Sequence, residues 1–213
     1  MNKENKNEYY GAKYNALTNS KRTLWKKNPE EYVRTYMYEG EKFTSKAMAF
    51  GTQMHNAIET GESTGDIEVD LLITDLPKFP EGQDLKEIEL HATIKVGNEE
   101  TPILAKLDRL KSDFTAFKDW KTGKNAWTQA KVDKDEQITF YCMIIFIQKK
   151  IIPNDIELVW IPTEEDEFGK LKITGEFVRF HTHRKMSDIL NMMVDCRKVW
   201  KQINERYEQE LLK

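Results

Sequence analysis

Asp119 and Lys121 stand two positions apart in KDWKTGK, and Asp108 stands eleven positions earlier in ILAKLDRL. Side chains alternate faces along a strand, so on a strand Asp119 and Lys121 project together and Trp120 projects the other way. A short turn between the two segments makes them arms of a hairpin, with Asp108 on the neighbouring arm. Carboxylates bind hard divalent cations, and a lysine beside them can orient water or offset developing negative charge. Metal-assisted cleavage of a phosphodiester needs such a set. Two carboxylates aimed at one spot repel unless a cation lies between them, and each then ionises less readily.

The elements that must hold these residues follow from the pattern. Residues 18–38 read as short helices broken at Asn28-Pro29, because proline favours the first turn of a new helix. Residues 44–60 form a helix capped by Thr44 or Ser45 and ended by Gly61, with Ala47, Phe50, Met54, Ala57 and Ile58 on its apolar stripe. Glycines and prolines punctuate the stretch up to about residue 85. LKEIELHATIKV, PILAKLDRL and FTAFKDWK then read as three antiparallel strands, joined by turns at Gly97-Asn98 and Lys111-Ser112-Asp113. A helix over 134–149 follows, with Asp133 as its cap and Glu136 in a capping-box position. Its body, ITFYCMIIFI, is apolar nearly all round, so it packs against the sheet. IELVWIP and KITGEFVRF read as two more strands. A long final helix carries Met186, Ile189, Leu190, Met193, Trp200, Ile203, Tyr207 and Leu211 on or near one stripe. The order predicts an α/β (α+β) fold in which helices pack around a sheet.

At 213 residues the chain is expected to be one domain over 16–213, preceded by a loose polar tail over 1–15. No apolar run approaches the roughly 18 residues of a membrane span, and the start lacks the apolar core of a signal peptide. A cytoplasmic setting without membrane contact is the expectation. Cys142 and Cys196 are too few for a disulfide framework, a four-thiolate zinc site or an iron–sulfur cluster. A net charge of −3 excludes the strongly basic footprint of a passive DNA coat but leaves room for a nuclease, where bound cations offset acidic side chains.

Four segments in order resemble the motifs of the PD-(D/E)XK nucleases, in the branch of the RecB nuclease domain and phage-type exonucleases. FGTQMH is similar to the helical motif ending in a metal-binding histidine, here His55. ILAKLDRL is similar to the motif of the first aspartate, Asp108, and KDWKTGK to the D-x-K signature with its Thr-Gly, here Asp119, Lys121, Thr122 and Gly123. QITFY is similar to the Gln-x-x-x-Tyr motif, here Gln137 and Tyr141. The resemblance implies a restriction-endonuclease-like core, a central mixed β-sheet flanked by helices. It implies Mg²⁺ or Mn²⁺ held by His55, Asp108, Asp119 and the backbone carbonyl of Trp120; imidazole suits manganese better than magnesium. Lys121 is then the catalytic cation, its pKa falling near a bound metal, with Gln137 and Tyr141 helping to hold it or a phosphate. Glu87 and Glu89 lie on the strand next to Asp108, and Glu89 is the expected further carboxylate, although sequence does not set strand register. The substrate implied is DNA, at its ends, in recombination, repair or phage DNA metabolism in a bacterial or phage-infected cell. A recombinase or annealing protein and a second copy of the chain are the partners such a nuclease would have. The chain departs from the family where Ala105 replaces a common glycine, where Lys106 stands beside it, and in lacking the cysteines of the iron–sulfur branch.

Two other readings share this core, a sequence- or structure-specific endonuclease and a non-catalytic nucleic-acid-binding or assembly protein. The length leaves little room for a separate base-reading domain, and the retained Asp119 and Lys121 favour chemistry. His181 and His183 read as surface histidines. Trp25, Tyr32, Tyr36 and Phe43 could stack on bases, but packing of the N-terminal helices is the simpler use.

Overall fold

A computed structural model describes residues 16–38 and 45–212. The expected tail, Thr44 and Phe43 lie outside these. Helix α1 (Asn19–Lys27) starts at Thr18, whose hydroxyl accepts the Lys21 N–H at 3.2 Å. Asn28 caps α2 (Pro29–Tyr32), with proline in its first turn, and the chain continues as a π-helical turn, Val33–Met37. Helix α3 (Lys46–Thr60) is capped by Ser45, which accepts from Met48 N–H at 3.2 Å. It ends at Gly61 with φ 75°, a left-handed position that glycine adopts without steric cost.

A short helix that the glycine and proline punctuation hides follows, α4 (Ile67–Asp75), capped by Asp66. It turns Val69, Leu72, Ile73 and the following Leu76 into the small core described below and leaves Ile67 and Leu71 exposed.

The sheet begins with β1 (Asp84–Val96), β2 (Glu99–Lys111) and β3 (Ala116–Gly123), an antiparallel meander. After α5 (Gln129–Val132) and α6 (Glu136–Lys149), strand β4 (Asp155–Glu165) returns parallel to β3. A parallel return needs a crossover, and α6 is that crossover. Strands β5 (Leu171–Ile173) and β6 (Val178–Thr182) pair antiparallel with the two ends of β4. The long α7 (Met186–Leu211) closes the chain. The result is a central mixed sheet flanked by helices. Among the described residues no helix is long and apolar enough to cross a membrane.

Apolar side chains cover both faces of the sheet unequally. On one, α6 and α7 join α1 and α2 over Leu107, Leu110, Phe117, Ile156 and Leu158 in a large core. On the other, α3 and α4 cover Trp120, Val159 and Ile161 in a small one. Trp25 and Tyr32 belong to the large core, their rings 5.3 Å apart edge to face, so they pack helices. Cys142 and Cys196 are buried free thiols, pushed up to about 12 by burial.

Three expectations need correction. The cap of α6 is Asp135, which accepts the Ile138 N–H at 2.9 Å; Asp133 instead accepts from Gln129 and from Thr182. KITGEFVRF is two strands, because residues 174–177 leave the ladder between the two stretches of β4 that β5 and β6 pair with. The buried stripe of α7 runs through Ile189, Met192, Cys196, Val199 and Ile203, while Met186 and Leu190 are exposed.

Candidate active site

The site grows from a fork in the sheet. Strands β2 and β3 pair at Arg109↔Lys118 and Leu110↔Phe117, and then separate. One step past the last rung that register sets Asp108 opposite Asp119. Beyond the fork the Trp120 N–H has no β2 carbonyl to meet, and Asp108 supplies the acceptor: its Oδ2 takes that N–H at 2.7 Å. The carboxylate thereby stands in for a strand. Both aspartates are buried, Asp119 at 1% exposure. The Trp120 ring lies on the opposite side, in the small core.

Helix α3 brings His55 to the fork. It can approach because Gly51 has no side chain, and a Cβ there would lie 3.2 Å from the Thr122 Oγ1 on β3. His55 Nδ1 lies 3.3 Å from Asp108 Oδ1 and 3.3 Å from Glu87 Oε1. Glu87 stands across from Asp108, between the rungs Lys86↔Arg109 and Ile88↔Leu107. Its φ of 47° is a left-handed value that a non-glycine residue in a strand rarely takes, and it marks a local kink. The side chain is 5% exposed, and Lys106 Nζ holds its other oxygen at 2.8 Å.

This placement corrects the expectation for Glu89. Glu89 pairs across from Lys106, one face-repeat away from Asp108, and its exposed carboxylate meets His91 Nε2 at 2.7 Å. Glu59 reaches Lys106 at 3.6 Å at the rim.

On the other side of the fork, Lys121 Nζ lies 2.8 Å from Asp119 Oδ2 and donates to Gln137 Oε1 on α6 at 2.9 Å. Gln137 Nε2 in turn donates to the Tyr141 hydroxyl. Gln137 and Tyr141 are one helical turn apart, and this relay occupies the polar tips of an otherwise apolar helix. A cavity of about 550 Å³ opens beside them, bounded by Ala105 and Lys106 on β2 and by Thr18, Asn19 and Ser20 at the start of α1.

Electrostatics separates the two halves. Burial disfavours protonation of His55, but hydrogen bonds and charge from Asp108 and Glu87 outweigh it and push its pKa up to about 10. Burial holds the Asp119 carboxyl above the usual carboxylate range; Lys121 opposes this and Asp108 adds to it. Lys121 loses hydration, but Asp119 and Asp108 more than compensate and raise its pKa. The fall expected of Lys121 belongs to a site whose carboxylates are already neutralised by a cation. The group therefore attracts positive charge, and in its absence gathers protons.

The donors fit a divalent cation. Among the described residues His55, Glu87 and Asp108 offer ligand atoms all within 4.8 Å of one another. One imidazole nitrogen and carboxylate oxygens form a set able to hold a divalent cation. Asp119 is outside this trio; its buried Oδ2 faces Lys121 Nζ at 2.8 Å. Glu87 is the member that sequence reading passed over in favour of Glu89. The remaining candidates stay apart. His181 lies at the surface, 3.4 Å from Asp155. Lys21 and Arg22 are buried: Lys21 bonds the Ala16 carbonyl, and Arg22 bonds Asp195 and Glu136.

Among solved structures, the chain is similar to a candidate exonuclease from Eubacterium rectale, with a TM-score of 0.56 and 12% identity over 99% of this chain and 87% of that one. An alkaline exonuclease from Laribacter hongkongensis aligns with a TM-score of 0.49 and 15% identity over 95% of each chain. No family model and no curated protein matches the chain. At such identities the likeness is one of fold.

Proposed function

We propose that the chain is a divalent-metal-dependent deoxyribonuclease that hydrolyses DNA phosphodiester bonds, working as an exonuclease at DNA ends in recombination, repair or phage DNA metabolism. The observation that carries this reading is the pair Asp108 and Asp119 facing each other at the strand fork, with His55 and Glu87 on one side and Lys121 on the other. The fold shared with a candidate exonuclease supports it.

His55, Glu87 and Asp108 would hold Mg²⁺ or Mn²⁺, with Asp119 and the Trp120 carbonyl completing the set. The bound ion supplies Lewis-acid charge at the phosphate and eases deprotonation of the attacking water. The chain's own work is positioning and electrostatics. Glu87 and Asp108 hold the imidazole of His55 between them, and Asp108 also ties down the Trp120 peptide. Lys121, fixed by Asp119 and Gln137, places an ammonium where it can steady the nucleophile or the charge that builds on the phosphate oxygens. Tyr141 fixes Gln137. The cavity beside Gln137 and Tyr141 gives the DNA strand a place next to this chemistry.

Linear and closed circular DNA incubated with EDTA, Mg²⁺ or Mn²⁺ test the proposal. Metal-dependent loss of linear DNA alone is the expected result. Cutting of circles would make it an endonuclease, and the absence of any metal-dependent loss would refute nuclease activity.

A further inference from the structure

Arg184 is buried at 6% exposure in the corner between β6 and α7. A guanidinium has five N–H donors, and all of them are used here. Nε donates to Thr139 Oγ1 at 2.7 Å. Nη1 donates to Thr182 Oγ1 at 2.8 Å and to the His183 carbonyl at 2.9 Å. Nη2 donates to the carbonyls of Val132 and Asp135, each at 3.0 Å. Among the described residues no carboxylate forms an ion pair with it. Asp133 interacts with it electrostatically across the shared Thr182 hydroxyl, and its own hydrogen bonds replace the lost water, so each of them matters.

The acceptors show what the bonds hold. Val132 ends α5, Asp135 caps α6, and Thr139 lies in the next turn of α6. Neighbours of Arg184 grip the same segment: Thr182 donates to Asp133 Oδ1 at 2.9 Å, and Gln129 donates to the His181 carbonyl at 2.8 Å. The β6–α7 corner therefore anchors residues 129–135, which lead into α6, together with the first turns of α6. That part of α6 carries Gln137, whose Oε1 is the α6 atom that Lys121 touches.

We infer that Arg184 is a positioning residue for Lys121, acting through α6 and Gln137; this rests on the nuclease reading above. Its removal shifts the start of α6 and unseats the ammonium, while the carboxylates and His55, which sit on other elements, keep their places.

Single-turnover cleavage, KM for linear DNA and Mn²⁺ affinity of the full chain, measured for wild type, Arg184→Ala, Gln137→Ala and the double variant, test this. The expected result is a kcat lower by about 10- to 100-fold in Arg184→Ala, the cost of a small misplacement of a catalytic group, with KM and Mn²⁺ affinity unchanged. The double variant is expected to be no slower than the slower single variant, because both changes act through one contact. A general loss of fold integrity would instead multiply the two effects and lower Mn²⁺ affinity with them. Added guanidinium is expected to restore part of the lost kcat in Arg184→Ala and none in Gln137→Ala. Should Arg184→Ala fail to fold, Thr139→Val removes one of the five acceptors and carries the same cycle with Gln137→Ala. Unchanged kcat, multiplicative effects or parallel loss of Mn²⁺ affinity overturns the role of Arg184. A wild-type chain that cleaves nothing with either metal overturns the nuclease reading itself, and this inference with it.

Discussion

Lys118 and Asp119 are adjacent on β3, face opposite sides of the sheet, and belong to two buried charged groups of opposite character. Lys118 Nζ meets Glu157 Oε2 at 2.5 Å, Arg179 holds the other oxygen of Glu157, and the Phe79 ring lies 4.6 Å from the ammonium. Burial alone would raise the pKa of Glu157, but Arg179 and Lys118 overcome it and hold the carboxyl below its ordinary value. That group is complete as it stands. Around Asp119 the outcome differs: Glu87 meets His55 and Lys106, Asp108 meets His55, and Asp119 meets Lys121, yet burial and Asp108 still hold the Asp119 carboxyl above the usual carboxylate range. A buried group whose charges close serves the fold. One that keeps a carboxylate from ionising readily is left open, and costs stability as sites set aside for function do.

The sharpest way to break this contrast is to remove a cation from each group. Lys121→Ala is expected to lower kcat by about 10²- to 10³-fold, the usual loss for one electrostatic stabiliser in an active site, with Mn²⁺ affinity kept. Lys118→Met is expected to leave kcat in place and lower stability. Equal kcat losses in the two variants, measured in one nuclease assay, would erase the distinction.

Next in size is the carboxylate set. Glu87→Gln is expected to weaken Mn²⁺ binding by at least the about 10- to 100-fold typical of losing even an outer partner of a metal site. Glu89→Gln, altering a side chain that meets His91 at the surface, is expected to change nothing. Titration calorimetry with Mn²⁺ decides between them, and a reversed pattern would return the site to Glu89.

That pair also shows where the sequence stops being legible. Strand alternation is strict, so the shared face of Asp119 and Lys121 could be read directly, and the cap at Ser45 and the stop at Gly61 follow from side-chain chemistry. Glu87 and Glu89 share a face by the same rule, so alternation cannot choose between them. The choice comes from the rungs on either side of Glu87 and from its positive φ, and both are products of tertiary pairing. The cap of α6 slipped by two residues for a similar reason. DKD offers two aspartates, and Thr182 from β6 and Gln129 from α5 claim Asp133. Arg184 carried no signal at all, since the acceptors that tie it to α5 and α6 are two backbone carbonyls and a threonine hydroxyl about fifty positions earlier.

Stability gives the next contrast. Glu157→Gln strands Lys118 in the interior and is expected to cost about 2–3 kcal/mol, on the low side for a broken buried pair because Arg179 is half exposed. Asp119→Asn, in EDTA, removes a carboxylate whose ionisation the fold already resists, and Asp108 and Gln137 remain beside Lys121, so its urea midpoint is expected to fall by less than that of Glu157→Gln. A midpoint lowered as far as that of Glu157→Gln would mean that Asp119 also serves the fold.

The smallest effect is the pH dependence of the Glu157 difference. The folded pKa of Glu157 lies below its ordinary 4.5. Its ionised form is therefore favoured by folding, and the stability it contributes is fully present above the ordinary value and is lost as pH falls through the lowered one. The gap between wild type and Glu157→Gln is expected to be constant from neutral pH down to about 5 and to close as the medium becomes more acid. Urea midpoints of the two proteins, taken in EDTA at descending pH, follow it, and because both carry every other carboxylate, their difference isolates this one. A gap that widened in acid would mean that Glu157 is stabilised as the neutral acid, and the closed group on β3 would then resemble the open one beside it.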